Sequence, residues 1–172
     1  AYGASELPVI SCNELTGGRL DTVGRVVPGV SVRIVDLETG EPLAAGEDGE
    51  IQLRSPSVMA GYLPEDDTAR AFADGWYRTG DVGHVDADGL LSITDRAKEM
   101  VKVRGFQVAP AEIEAVLHGH PAVADCAVFG VPDARDGEAI VAAVRRCGEV
   151  TAETLTTLVA ERLASYKRLA TV

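Results

Sequence analysis

The spacing of apolar residues changes at Asp95, and that change limits the folds open to the chain more than any other feature. Before it, Val30, Val32 and Ile34 alternate with Ser31 and Arg33 in GVSVRIVD (29–36), the period of a half-buried strand. EIQLRS (50–55) alternates in the same way. Between them, LETGEPLAAGEDGE (37–50) is rich in Gly, Pro and acids and reads as a loop or hairpin connection. PEDDTARAF (64–72) predicts a short helix with acids in its first turn, where the helix dipole favours them. GWYRTGD (75–81) predicts a strand ending in a turn. VGHVDADGLLSITD (82–95) predicts two short strands joined by Asp86-Ala87-Asp88-Gly89.

Beyond Asp95 the helical period enters. KEMVKVRGFQVAP (98–110) reads as a basic strand carrying a glycine. PAEIEAVLHGHP (110–121) reads as a helix, with Pro110 at its first position, Gly119 and Pro121 at its end, and Ile113, Val116 and Leu117 on one face. AVADCAVFGVP (122–132) and EAIVAAVRR (138–146) are apolar strands, and TAETLTTLVAERLASY (151–166) is a helix capped by Thr151. Strand, helix, strand, strand, helix is a small α+β unit. The fold class is therefore α+β: a β-rich piece over 1–94 and a small α+β lobe over 95–172.

Composition supports a packed chain, with 46% hydrophobic and 25% charged residues among 172. Sixteen Lys plus Arg face 27 Asp plus Glu, a formal net charge of -11, which argues against a duplex nucleic-acid partner. It leaves room for a nucleotide, because a few local cations hold phosphates. Cys12, Cys126 and Cys147 are odd in number and lack zinc or disulfide spacing. No apolar run is long enough for a membrane-spanning helix and no signal-peptide pattern stands out, so the chain reads as cytosolic. It begins Ala1-Tyr2-Gly3 and stops at Val172 as an apolar run starts, which is expected of a piece of a larger protein.

Four stretches carry polar groups that packing does not require. YGASE (2–6) offers an aromatic, a hydroxyl and a carboxylate; TGD (79–81) offers a carboxylate behind a turn. DRAKEMVKVRG (95–105) places Arg96, Lys98, Lys102 and Arg104 close together. On one strand these four would share a face able to meet a polyanion, although four cations on an acidic protein also describe a plain solvated face. GFQVAPAEIE (105–114) adds a glycine that lets a ligand or backbone approach, and the amide of Gln107. Glu6 alone describes a solvated carboxylate as readily as a ligand of Mg²⁺, and His84, His118 and His120 have no evident partners.

Taken in order, YGASE, GEDGEIQLRSPSVMAGYL, WYRTGD and DRAKEMVKVRGFQVAPAEIE make the chain resemble the adenylate-forming superfamily over essentially its whole length. That superfamily includes acyl-CoA synthetases, 4-coumarate-CoA ligases, luciferases and nonribosomal adenylation domains. The resemblance implies the end of a large N-terminal domain over 1–94, then most of a small mobile C-terminal domain over 95–172, with Asp95 at the hinge. It implies an AMP-forming acid-thiol ligase, taking ATP with Mg²⁺, coenzyme A and a small carboxylic acid.

By the same resemblance, Tyr2, Ser5, Asp81, Arg96, Lys98, Lys102 and Gln107 are nucleotide-binding residues. Tyr2 packs on adenine, Ser5 meets a phosphate, and Asp81 accepts from the ribose hydroxyls. Lys102 is also the catalytic candidate; Lys98, Lys102 and Gln107 approach the adenylate. Glu6 is the Mg²⁺-associated acid, and Arg104 and Gly105 flank coenzyme A. The phosphate loop and the adenylation lysine lie outside these residues, Lys167 not being that lysine, so the piece alone is expected to be inactive. DRAKEMVKVRGFQVAPAEIE resembles the CoA-ligase form more than the peptide-synthetase form. A peptide-synthetase adenylation domain and a noncatalytic nucleotide-binding or interaction domain stay open as alternatives, with a luciferase-like oxygenase more distant. Leu7 to Asn13 read as one wall of an acid pocket, and the apolar LPVISC (7–12) within them favours an aryl or fatty acid over an amino acid.

Overall fold

In the computed structural model, which describes residues 1–14 and 18–172, the alternating stretches become antiparallel strands. The chain divides into two units, Ala1–Ala97 and Lys98–Val172. The first carries β1 (Tyr2–Ala4), β2 (Leu7–Cys12), β3 (Gly24–Val26), β4 (Ser31–Val35), β5 (Gly49–Arg54), α1 (Glu65–Ala71), β6 (Phe72–Ala73), β7 (Trp76–Val85) and β8 (Leu90–Arg96). They form one sheet in the order β1-β2-β3-β8-β7-β5-β4, with β6 on β7. Ile10, Ile51, Leu53 and Leu91 are wholly buried in its core. Burial of side chains this size is worth about 1.5–3 kcal/mol each. Asp95 lies within β8, opposite Val82, so Asp95 and Arg96 belong to this unit.

GWYRTGD does not end its strand. Glu50 pairs with Val82 and Gln52 with Arg78, leaving Ile51 opposite Thr79, Gly80 and Asp81 together. The extra residues form a bulge. Gly80 takes φ 70°, a left-handed conformation that glycine adopts without a Cβ clash, so β7 resumes pairing beyond it. The Thr79 hydroxyl fixes the bulge, donating to the Ile51 carbonyl at 2.7 Å and accepting from the Asp81 N–H at 3.0 Å.

Simple alternation puts Glu50 and Gln52 on the solvent face of β5, yet they are only 4% and 5% exposed. Neighbouring polar side chains cover them. Gln52 Nε2 donates to Glu50 Oε2 at 3.0 Å, and Arg78 Nε donates to the same oxygen at 3.0 Å. Arg33 Nε donates to Gln52 Oε1 at 2.9 Å, and its guanidinium sits 4.6 Å from the Trp76 ring centre. The segment LPVISC is divided between core and surface. Leu7, Ile10 and Ser11 are buried within this unit, while Pro8 and Val9 are exposed.

The second unit carries β9 (Val101–Val103), β10 (Phe106–Val108), α2 (Pro110–His118), β11 (Val123–Asp133), β12 (Gly137–Arg146), α3 (Ala152–Arg162) and β13 (Leu169–Thr171). Its sheet runs β10-β9-β12-β11, with β13 parallel to β12. Ile113 and Leu117 of α2 and Leu155 and Val159 of α3 share one core with Val101, Val108 and Ile140. Thr151 caps α3 by accepting the Thr154 N–H at 3.1 Å. The helix stops at Arg162, short of the expected Tyr166, and Ser165–Lys167 forms a tight 3₁₀ turn instead. Tertiary contacts account for the difference: Tyr166 stacks on Phe106 with ring centres 4.4 Å apart, and Lys167 pairs with Glu112.

The basic stretch is a hairpin, not one strand. Val103 pairs with Phe106, and Arg104-Gly105 is a two-residue turn with φ 52° and 83°. Positive φ at both positions marks a type I′ turn. The expected common face of four cations is therefore not formed. Arg96 ends β8, Lys98 lies in the turn after it, Lys102 is on β9 and Arg104 is at the hairpin tip.

Two stability predictions follow from these local geometries. No neighbour would touch a Cβ at Gly105, so its requirement for glycine is conformational, and Gly105→Ala should cost about 1–2 kcal/mol. Arg78→Met would strip the carboxylate of Glu50 of its cation and should cost about 1–3 kcal/mol, with Glu50→Gln milder. Urea unfolding measures both. An unchanged midpoint for Gly105→Ala would remove the I′ assignment, and one for Arg78→Met would mean that the pair contributes nothing.

Candidate functional site

The first unit contains an open cavity of about 740 Å³ that collects the polar groups of YGASE, TGD and the end of β8. The hairpin β1–β2 presents Ser5 and Glu6 at its two-residue turn. The bulge in β7 presents Asp81, and Arg96 is its direct neighbour across β8. Five residues singled out from the sequence, Tyr2, Ser5, Glu6, Asp81 and Arg96, thus line one cavity.

Asp81 is the centre of this arrangement. It is 6% exposed, and a carboxylate so buried needs partners to stay charged. Arg96 Nε lies 2.7 Å from Oδ1, and the Tyr2 hydroxyl donates to Oδ2 at 2.6 Å. Burial, then the bond to Asp81, pushes the Tyr2 phenol far above its ordinary range, so it remains a protonated donor. A carboxylate offers about four lone-pair sites. Two are used here, so acceptor capacity remains for a ligand carrying neighbouring hydroxyls.

Glu6 sits in a second cluster that sequence reasoning did not anticipate. The Tyr62 hydroxyl donates to Glu6 Oε1 and lies 3.4 Å from the Tyr77 hydroxyl. The Met59 N–H donates to the Glu6 carbonyl at 2.9 Å. The Tyr62 bond holds the Glu6 carboxyl below the usual carboxylate range. The bond to Glu6 raises Tyr62, while burial and then Tyr62 raise Tyr77. Glu50, Arg78, Asp67 and Arg70 complete the polar lining. The one available signal for Tyr62 was an aromatic residue following a glycine in AGYL, which carries no information about a partner 56 residues away.

Of the other sequence-derived residues, Asp95 lies in β8 of the first unit and the rest lie in the second. Lys102 and Gln107 are paired across β9 and β10, with Lys98 in the preceding turn. Arg104 meets Asp136 fork to fork, Nε to Oδ1 at 2.8 Å and Nη2 to Oδ2 at 2.7 Å. This contact drives the Asp136 carboxyl below its ordinary range. Gly105 completes the tip of the same hairpin. Among the described residues, no group of three or more His, Cys, Asp or Glu side chains is arranged to hold a metal ion. Glu6 is a single carboxylate at the cavity, and one of its oxygens already accepts from Tyr62. No described helix is long and apolar enough to cross a membrane.

Comparisons with known proteins give the family of the chain. Residues 1–63 match the family model for AMP-binding enzyme, and residues 112–172 match that for AMP-binding enzyme C-terminal domain. The 4-coumarate–CoA ligase-like 9 protein of Oryza sativa subsp. japonica is 47% identical, over 98% of this chain and 32% of that protein. The ATP-bound structure of MatB from Rhodopseudomonas palustris aligns with a TM-score of 0.92 and 37% identity, over 99% of this chain and 35% of that one. An o-succinylbenzoate CoA synthetase (MenE) from Bacillus subtilis, in complex with its acyl-adenylate intermediate, aligns at 0.78 and 35%, over 88% and 31%. The chain spans about a third of the length of the relatives it matches. It belongs to the adenylate-forming, AMP-binding enzyme superfamily, and the segment seen here carries residues from both family models.

Proposed function

We propose that the protein containing this chain is an AMP-forming acid-thiol ligase. It joins a carboxylic acid to ATP, releasing pyrophosphate, and passes the acyl group to coenzyme A. The observation that carries this reading is Asp81, a buried carboxylate with two fixed partners and spare acceptor sites at a polar cavity. The names of the relatives support it: the rice protein is called a CoA ligase, one aligned structure binds ATP and another an acyl-adenylate.

In this reading the Asp81 carboxylate accepts both ribose hydroxyls while Arg96 balances its charge. The Tyr2 ring forms a wall for adenine, and Ser5 offers a hydroxyl to phosphate. Glu6 would supply one carboxylate to a Mg²⁺ ion held with ATP, and that ion would offset the charge of the phosphates. The acid's oxygen attacks the α-phosphorus and the bond to pyrophosphate breaks. The thiol sulfur then attacks the acyl carbon and the bond to AMP breaks. Lys98, Lys102 and Gln107 serve the adenylate, with Lys102 as the catalytic cation, and Arg104 and Gly105 serve coenzyme A. Asp95 is the hinge, where a few backbone dihedrals absorb a domain rotation. The cytosol is the proposed compartment, in keeping with three free thiols at Cys12, Cys126 and Cys147.

ATP–pyrophosphate exchange by the full-length protein with a panel of carboxylic acids tests the reading. Acid-dependent exchange is expected, and none with any acid would favour a noncatalytic nucleotide-binding domain. Asp81→Ala should cost about 1.5–3 kcal/mol in ATP use, roughly ten- to a hundredfold in kcat/KM. Unchanged ATP kinetics with a lowered Tm would reduce Asp81 to a structural residue of the bulge.

A further inference from the structure

We infer that the Tyr2 hydroxyl is a positioning group that sets the site's selectivity for ribose over deoxyribose, by fixing the plane of the Asp81 carboxylate. The inference rests on the nucleotide reading above and adds a role that the ring of Tyr2 does not fill.

The torsion that turns an aspartate carboxylate is broad and only roughly two-fold, so one partner does not hold its plane. At Asp81 there are two partners, one on each oxygen: Arg96 Nε 2.7 Å from Oδ1 and the Tyr2 hydroxyl 2.6 Å from Oδ2. They approach from different strands, β8 and β1. The backbone of Asp81 is fixed separately, its N–H donating to the Thr79 hydroxyl at 3.0 Å. The remaining freedom of the side chain is its carboxylate rotation, and the Tyr2 hydroxyl removes it together with Arg96. A vicinal diol needs two acceptor sites in a fixed relation, whereas a deoxyribose needs one. Loosening the plane therefore harms recognition of the diol more than recognition of a single hydroxyl. The raised Tyr2 phenol keeps this donor protonated throughout the neutral range.

Tyr2→Phe keeps the ring and deletes the hydroxyl alone. In the full-length enzyme, kcat/KM is measured with ATP, 2′-deoxyATP and 3′-deoxyATP for wild type, Tyr2→Phe and Asp81→Asn, beside the Tm of each. The preference of the wild type for ATP should fall about tenfold in Tyr2→Phe, mostly through KM for ATP, as one charge-assisted hydrogen bond is lost. An unchanged preference in Tyr2→Phe overturns the inference. So does an equal loss with all three nucleotides accompanied by a lower Tm, which would make the hydroxyl a structural contact only. If Asp81→Asn also leaves the preference unchanged, the ribose reading itself fails and takes this inference with it. A preference lost in Asp81→Asn and kept in Tyr2→Phe leaves the reading standing and removes the inference alone.

Discussion

Asp81 is a charge held almost out of water, and much of the first unit is arranged around the need to satisfy it. An unpaired buried carboxylate is costly, whereas one with a cation and good hydrogen bonds is tolerated. Here the cation comes from Arg96 at the end of β8 and the hydroxyl from Tyr2 on the edge strand β1. The bulge around Gly80 sets the position of the carboxylate, and Thr79 anchors that bulge to Ile51. Three separate stretches of sequence thus converge on one side chain. The cavity they line is polar, bringing carboxylates, guanidiniums and hydroxyls together.

Local features were legible wherever the determinant was local. Pro110 at the start of α2 and Thr151 as the cap of α3 mark where those helices begin. The change of period near Asp95 marks the passage from all-β to α+β, although pairing of Asp95 with Val82 keeps the last residues of β8 with the first unit. Family motifs placed Tyr2, Ser5, Glu6, Asp81 and Arg96 in one list, and the fold gathers those five in one cavity.

What the sequence hid was set by distant partners. Glu50 and Gln52 read as solvent-facing because alternation speaks for one strand at a time; Arg33, Trp76 and Arg78, from β4 and β7, bury them. Tyr62 reaches Glu6 from a loop that has no periodicity at all. VKVRGFQV reads as a continuous strand because Arg is an unusual residue for the first position of an I′ turn. Asp136 makes it workable by accepting the Arg104 backbone N–H through its carbonyl at 2.8 Å and gripping the guanidinium through its carboxylate. Fold and family do not choose the acid that is activated, since function resides in sites grafted on folds.

A structure of the full-length protein with AMP bound tests the central claim most directly. The account predicts both ribose hydroxyls within hydrogen-bond distance of the Asp81 carboxylate, about 2.5–3.0 Å, with the Tyr2 and Arg96 contacts to that carboxylate retained. A nucleotide whose ribose lies away from Asp81, or a bound state in which Arg96 and Tyr2 release it, would contradict the account.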